Sequence, residues 1–101
     1  MGTYDKLVRD KIPEILDAKD ISYEQRIATP EEYKVELIKK LEEEIIEFSE
    51  SGDPEELADI LEVIEALRGL PEYGDVEDLK KKKFEERGGF KKRLILKGEK
   101  G

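Results

Sequence analysis

The chain has 101 residues, with 27 acidic and 19 basic side chains and a formal net charge of −8. This length supports one hydrophobic core, so we expect a single domain over residues 1–101. The sequence has neither cysteine nor histidine, which excludes disulfides, thiolate or imidazole metal ligands, and catalysis by a cysteine nucleophile or an imidazole base. Chemistry in this protein therefore depends on carboxylates, lysine and arginine, hydroxyls or a bound cation.

The distribution of charge and apolar residues indicates which partners to expect. Residues 1–79 carry a net charge of −15 and residues 80–101 carry +7. A mostly acidic surface repels phosphate backbones, so we expect no nucleic-acid partner. No apolar run approaches the roughly 20 residues that cross a bilayer, so we expect no membrane partner and a cytoplasmic location. Abundant Glu and Lys without asparagine or cysteine is typical of thermophilic proteins.

The first 28 residues predict one short helix and a weak strand. The segment from residue 4 to residue 18 predicts an extended entry and then a helix near Pro13, because proline fits a first helical turn. In residues 21–27, Ile21, Tyr23 and Ile27 alternate with polar residues, which is a weak sign of a strand.

Two long amphipathic helices follow. Thr29 and Pro30 begin a capping box whose helix runs to about Ser49, and Asp53 begins a second helix that Gly69 ends. Both contain apolar residues at helical spacing: Tyr33, Leu37, Leu41, Ile45 and Phe48 in the first, and Leu57, Ile60, Leu61, Ile64 and Leu67 in the second. Because only a few residues join them, these helices must lie antiparallel.

A further helix is predicted from Asp75 to about Arg87, closed by Gly88 and Gly89. Residues 90–96 then alternate enough for a short strand. The predicted fold class is therefore mainly all-α, an antiparallel helical hairpin or bundle of three to four helices. The pattern is also compatible with a short two-stranded β element formed by residues 21–27 and 90–96.

Four carboxylates are predicted to meet where the two long helices pack. At about 100° per residue, Glu44 and Glu47 lie along one edge of the first apolar stripe. Glu56 and Asp59 are interleaved with apolar residues of the second helix. Four carboxylates at an apolar seam require a counter-charge, and an oxygen-only ligand set favours Mg²⁺ or Mn²⁺.

Composition leaves a simpler interpretation open. With 27 acidic residues in the chain, roughly seven acidic pairs three residues apart arise by chance. Glu56 also stands at the third position after Asp53, where a capping box uses a glutamate for structural reasons. Spacing alone therefore does not distinguish a metal site from a solvated helix edge.

Three segments resemble a known enzyme superfamily. Residues 40–47 (KLEEEIIE) and 56–61 (ELADIL) resemble the ExxE…ExxD signature of the all-α nucleoside triphosphate pyrophosphohydrolases. That superfamily includes MazG-like enzymes, dimeric dUTPases and phosphoribosyl-ATP pyrophosphohydrolase. Residues 4–14 (YDKLVRDKIPE) and 84–90 (FEERGGF) resemble the two ends of a small MazG-like subgroup, often labelled phosphoribosyl-ATP pyrophosphohydrolase-like. The resemblance covers nearly the whole chain.

This resemblance implies a Mg²⁺-dependent hydrolase, with Mn²⁺ as an alternative ion, that cuts a nucleotide between its α and β phosphates. The products are a nucleoside monophosphate and pyrophosphate. By the motif, the metal ligands are Glu44, Glu47, Glu56 and Asp59. One of these carboxylates is expected to take a proton from the attacking water, and Glu47 is our choice. We favour a house-cleaning role on canonical or modified (d)NTPs, because only the acidic motif points to phosphoribosyl-ATP.

The phosphates need cationic partners. Lys83 and Arg87 share a helix face and match a Lys and an Arg at comparable spacing in similar enzymes, so they are the first choice. Lys6 and Arg9 of the opening motif are the second. The basic run at residues 80–83 is also explained by pairing with the helix dipole, and Arg87 with the glycines after it by a helix C-cap.

The resemblance also implies a homo-dimer or homo-tetramer. Val35 and Ile46 lie off the main apolar stripe of their helix, which indicates a second apolar strip that needs covering. Two other functions stay open at this point. One is a non-catalytic nucleotide- or cation-binding module, and the other is a structural hairpin that binds another protein through the exposed strip.

Overall fold

The computed structural model describes residues 5–99, so Tyr4 of the opening motif lies outside the described residues. The described residues form four α-helices: α1 (Ile12–Ala18), α2 (Pro30–Ser51), α3 (Pro54–Arg68) and α4 (Val76–Arg87). A 3₁₀ turn, Pro71–Tyr73, connects α3 to α4. The prediction of a mainly all-α helical hairpin or bundle is confirmed.

The prediction of a two-stranded β element is wrong. Neither residues 21–27 nor residues 90–96 form a strand. Alternating apolar residues stabilise a strand only when one face is covered, and these segments have no covering layer. Ile27 is 97% exposed and Ile95 is 95% exposed.

The N-terminus of α2 follows the predicted capping chemistry. Thr29 has an extended backbone, and its hydroxyl accepts a hydrogen bond from the Glu32 N–H at 3.2 Å. Pro30 occupies the first helical turn, where its missing N–H costs nothing. Both guanidinium ends of Arg26 donate to the Glu32 carboxylate at 2.6 Å, which ties the preceding segment to α2.

The connection between α2 and α3 is two residues long, Gly52 and Asp53. Gly52 ends α2 with a φ of 67°, a conformation that glycine adopts without a Cβ penalty, and its N–H donates to the Phe48 carbonyl at 2.7 Å. Asp53 stands at the N-cap of α3, but its side chain makes no capping hydrogen bond. Such a short connection places the two helices side by side and antiparallel.

The hairpin of α2 and α3 contains the buried residues of the described chain, Leu37, Glu44 and Val63. Val63 faces the partner helix, together with the half-buried Glu56 and Asp59. The predicted apolar stripe of α3 is divided: Ile60 and Leu67 are half-buried, whereas Leu57, Leu61 and Ile64 are 45%, 60% and 38% exposed. A single hairpin buries one face of each helix, and α3 has apolar residues on more than one.

The part of the chain that follows α3 packs little against the α2–α3 hairpin. Arg68 at the end of α3 is paired with Glu77 of α4 at 3.1 Å. Residues 78–99 are all exposed, including the basic run at 80–83. Among residues 5–99, no helix is both long and apolar enough to cross a membrane.

Candidate metal centre

Three carboxylates meet across the α2–α3 hairpin. Glu44 of α2 and both Glu56 and Asp59 of α3 each offer one oxygen, and these oxygens all lie within 4.8 Å of one another. We call these three residues the acidic cluster. Glu56 and Asp59 project together because residues three apart share a helix face, and the short turn at Gly52 brings that face against Glu44. Positions 12 and 15 residues apart in sequence thus form one site.

Glu44 is the buried member of the acidic cluster. It is 6% exposed, and its Oε2 atom is buried without a hydrogen-bond partner among the described residues. Burial raises the pKa of the Glu44 carboxyl, and the negative charges of Glu47 and Asp59 raise it further. An unpaired buried carboxylate oxygen is costly, so this atom indicates that the site is completed by a cation or a proton.

Glu56 and Glu47 extend the acidic surface toward solvent. Burial also raises the pKa of Glu56, followed by the adjoining Glu47 carboxyl and the charges of Glu44 and Asp59. Glu47 is exposed and stands beside Glu44 and Glu56, outside the set whose oxygens meet within 4.8 Å. Its exposure suits a group that exchanges protons with solvent, whereas Glu44 suits a ligand.

Two cationic side chains already border the acidic cluster. Arg9, in the segment before α1, donates from Nη2 to Asp59 Oδ1 at 2.7 Å. Lys40 lies one turn before Glu44 on α2, with its Nζ 3.7 Å from Glu44 Oε1. Arg9 is one of the residues predicted to bind substrate phosphates. Lys40 is not among them, although its spacing of four residues from Glu44 places the two side chains on one helix face.

The acidic cluster fits a hard divalent cation. All its donors are carboxylate oxygens, the ligands that Mg²⁺ and Mn²⁺ prefer. The three oxygens already lie within 4.8 Å of one another, so one ion would contact all three once the carboxylates close on it. Glu44 Oε2 is buried without a hydrogen-bond partner among the described residues, and such an ion would give it a partner.

No family model, curated protein or solved structure matches this chain. The resemblance to the MazG-like pyrophosphohydrolases therefore stays a prediction from motifs. The acidic cluster itself, through its geometry and the chemistry of its carboxylate oxygens, indicates what this chain can bind.

The structure brings some of the predicted phosphate-binding residues to the cluster and leaves others apart. Arg9 contacts Asp59, and Lys6 Nζ donates to Glu43 Oε1 at 3.1 Å, one residue before Glu44. Lys83 and Arg87 lie on the exposed helix α4 and form no ion pair within residues 5–99. The second-choice pair therefore borders the cluster, and the role of Lys83 and Arg87 stays a prediction.

Two depressions in the protein surface lie apart from the acidic cluster. A depression of about 440 Å³ follows α1, and another of about 190 Å³ lies where α3 meets the 3₁₀ turn. The first is lined by Asp17, Asp20, Ile21, Ser22 and Tyr23. Neither is lined by Glu44, Glu56 or Asp59. Both depressions therefore lie away from the acidic cluster.

Proposed function

We propose that this protein is a Mg²⁺-dependent nucleoside triphosphate pyrophosphohydrolase, which cleaves the α–β phosphoanhydride to give a nucleoside monophosphate and pyrophosphate. The observation that carries the proposal is the convergence of Glu44, Glu56 and Asp59 within 4.8 Å, with a buried Glu44 oxygen that has no partner among the described residues. The ExxE…ExxD motif, with the opening and closing segments, supports the reaction class. House-cleaning of (d)NTPs is the proposed role.

Each residue has a defined task in this proposal. Glu44, Glu56 and Asp59 would hold the cation, with Glu47 as a fourth ligand or as the base that takes a proton from water. When bound, a divalent cation neutralises charge on phosphate oxygens and activates water for attack. Arg9 and Lys6, which pair with Asp59 and with Glu43 beside the cluster, would bind the substrate phosphates.

The decisive experiment measures pyrophosphate release. Purified protein is incubated at elevated temperature with a panel of NTPs, dNTPs, modified nucleotides and phosphoribosyl-ATP, with Mg²⁺ or with excess EDTA. We expect Mg²⁺-dependent pyrophosphate together with the matching monophosphate. Release of orthophosphate would place the cut elsewhere, and activity that survives EDTA would contradict the metal centre.

Matched variants connect the activity to the acidic cluster. Glu44→Gln and Asp59→Asn should each lower kcat/KM at least about 100-fold, since each removes a charged ligand. Glu62→Gln is the control, because Glu62 is an exposed acid on the same helix as Asp59. Circular dichroism should show an unchanged helix content in all three variants. Equal activity in the cluster variants and the control would contradict the proposal.

We propose also that the protein functions as a homo-oligomer. Leu37 and Val63 are the buried apolar residues of the described chain, whereas Leu61 and Ile46 on the hairpin are 60% and 58% exposed. Exposed apolar surface of this extent on the hairpin indicates that another protein surface packs against it. A second copy would bury it and would also provide walls beside the acidic cluster.

A further inference from the structure

Arg9 connects an irregular N-terminal segment to the acidic cluster. Its Nη2 atom donates to Asp59 Oδ1 at 2.7 Å, across 50 positions of sequence. The segment is held on both sides of Arg9: Lys6 Nζ donates to Glu43 Oε1 at 3.1 Å, and the Ile12 N–H donates to the Arg9 carbonyl at 3.1 Å. Leu7 and Val8, which lie between Lys6 and Arg9 in the sequence, are half-buried. The backbone of Arg9 is therefore fastened beside the cluster.

The ion pair between the Arg9 guanidinium and Asp59 is exposed to solvent. The side chains of Arg9 and Asp59 are 55% and 40% exposed, and ion pairs with this exposure contribute little to stability. Lys40 differs, since it is 22% exposed and belongs to the same helix as its two glutamate partners. Of the two cations at the cluster, Arg9 is the one that can leave its partner at small cost in free energy.

A divalent cation and Arg9 compete for the Asp59 carboxylate. A cation bound by Glu44, Glu56 and Asp59 takes Asp59 as a ligand and places positive charge beside the guanidinium. The displaced guanidinium then needs another anion within the reach of its fastened backbone. A phosphate group meets this need, because the planar fork of arginine matches two phosphate oxygens.

We propose that Arg9 is an exchangeable cation of this site: it neutralises Asp59 when no divalent cation is bound, and it transfers to a phosphate group of the substrate when the cation takes Asp59. This inference rests on the proposed function and deepens it, since it names the residue that recognises the polyphosphate. It also gives the N-terminal segment a role in ordering the two binding events, the cation first and the phosphates second.

The test measures two affinities by calorimetry on the full chain. The first is for Mg²⁺ alone, and the second is for inorganic tripolyphosphate at saturating Mg²⁺. Arg9→Gln should bind Mg²⁺ about two- to fivefold more tightly than the wild type, since the competing ion pair is gone. The same variant should bind tripolyphosphate about tenfold more weakly, since a bidentate contact is lost.

Two further variants separate charge from structure. Arg9→Lys keeps the charge and loses the fork, so its Mg²⁺ affinity should stay near that of the wild type while tripolyphosphate binds more weakly. Arg26→Gln is the control, because Arg26 forms a comparable ion pair with Glu32 that includes no member of the acidic cluster. It should change neither affinity.

The outcomes distinguish this inference from the proposed function. If the wild type binds Mg²⁺ and releases pyrophosphate but Arg9→Gln binds Mg²⁺ no more tightly, the exchange is wrong and the proposed function stands. Unchanged tripolyphosphate binding in Arg9→Gln would overturn the exchange in the same way. A wild type that binds no Mg²⁺ would overturn both.

Discussion

Glu44 shows how one buried side chain turns an ordinary acidic pattern into a candidate site. The chain has 27 acidic residues, and most of those described are exposed and solvated. Glu44 differs because packing of α3 against α2 removes its Oε2 from solvent and supplies no donor. The result is a carboxyl whose ionisation is opposed by burial and by two neighbouring carboxylates, which raises its pKa. A bound cation would favour the ionised carboxylate instead.

The raised pKa of Glu44 predicts a pH-dependent effect of Glu44→Gln on stability. A carboxyl whose pKa is higher in the folded state favours folding below its ordinary pKa, and that contribution is lost as the pH rises through the raised value. Without metal, Glu44→Gln should therefore melt above the wild type at pH 7, and the gap should close toward pH 4. Thermal unfolding in EDTA from pH 4 to pH 7.5 measures it.

Mg²⁺ provides the complementary measurement for Glu44. At pH 7, added Mg²⁺ should raise the melting temperature of the wild type by mass action and should leave Glu44→Gln nearly unchanged. Glu62→Gln is again the control, since its carboxyl is exposed. A Glu44→Gln variant that is less stable than the wild type at pH 7 in EDTA would show that the carboxylate stabilises the fold on its own.

At the level of elements, the two long helices begin with the same sequence pattern and different hydrogen bonds. Thr29 accepts from the Glu32 N–H, so one orphan donor of α2 is satisfied. Asp53 occupies the corresponding place in α3 without a side-chain capping bond. Its N–H donates to Ser51 Oγ at 3.1 Å, which shapes the turn between the helices. The cap at Thr29 therefore stabilises α2 more than Asp53 stabilises α3, although the two sequence patterns are alike.

This difference predicts unequal costs for two alanine substitutions. Thr29→Ala should destabilise the protein by about 1 kcal/mol, because it removes the capping acceptor of α2. That cost corresponds to a melting temperature lower by about 4–8 °C in a chain of this size. Asp53→Ala should cost less than half as much, since only its interaction with the helix dipole is lost. Equal losses in urea or thermal unfolding would contradict the difference between the two caps.

At the scale of the whole molecule, the single chain exposes far more surface than a compact domain. Its accessible surface is 9736 Å², whereas a folded monomer of 11.7 kDa exposes roughly 5,900 Å². Its radius of gyration of 18.1 Å compares with about 13 Å for a compact chain of this length. Residues 78–99, which include most of α4, are all exposed and contribute to this difference. In the proposed homo-oligomer, such a chain would gain stability by burying apolar surface against another copy.

The exposed face of α3 predicts where that contact forms. Leu61→Glu places a charge at the centre of the stripe formed by Leu57, Leu61 and Ile64, so it should reduce the assembly to monomers and lower the melting temperature. Light scattering coupled to size exclusion measures the mass. Ile27→Glu is the control, since Ile27 is 97% exposed in the segment before α2. A monomeric wild type, or a Leu61→Glu variant with the wild-type mass, would contradict this interface.

The helix limits and the residues of the acidic cluster follow from local sequence. Thr29 and Gly52 mark the ends of α2, and Gly69 follows the end of α3, because helix caps depend on neighbouring residues alone. The spacing of Glu56 and Asp59 places them on one helix face for the same reason. The sequence also predicted strands at residues 21–27 and 90–96, where alternation lacked a covering layer.

Only the tertiary structure decided which face of α3 meets α2. Both Val63 and the stripe through Leu61 are apolar, so periodicity does not choose between them, and packing buried Val63 with Glu56 and Asp59 beside it. The same packing removed Glu44 Oε2 from solvent and brought Arg9 to Asp59 across 50 residues. Burial and long-range ion pairing depend on how helices are rotated against one another, and that rotation is a property of the assembled chain.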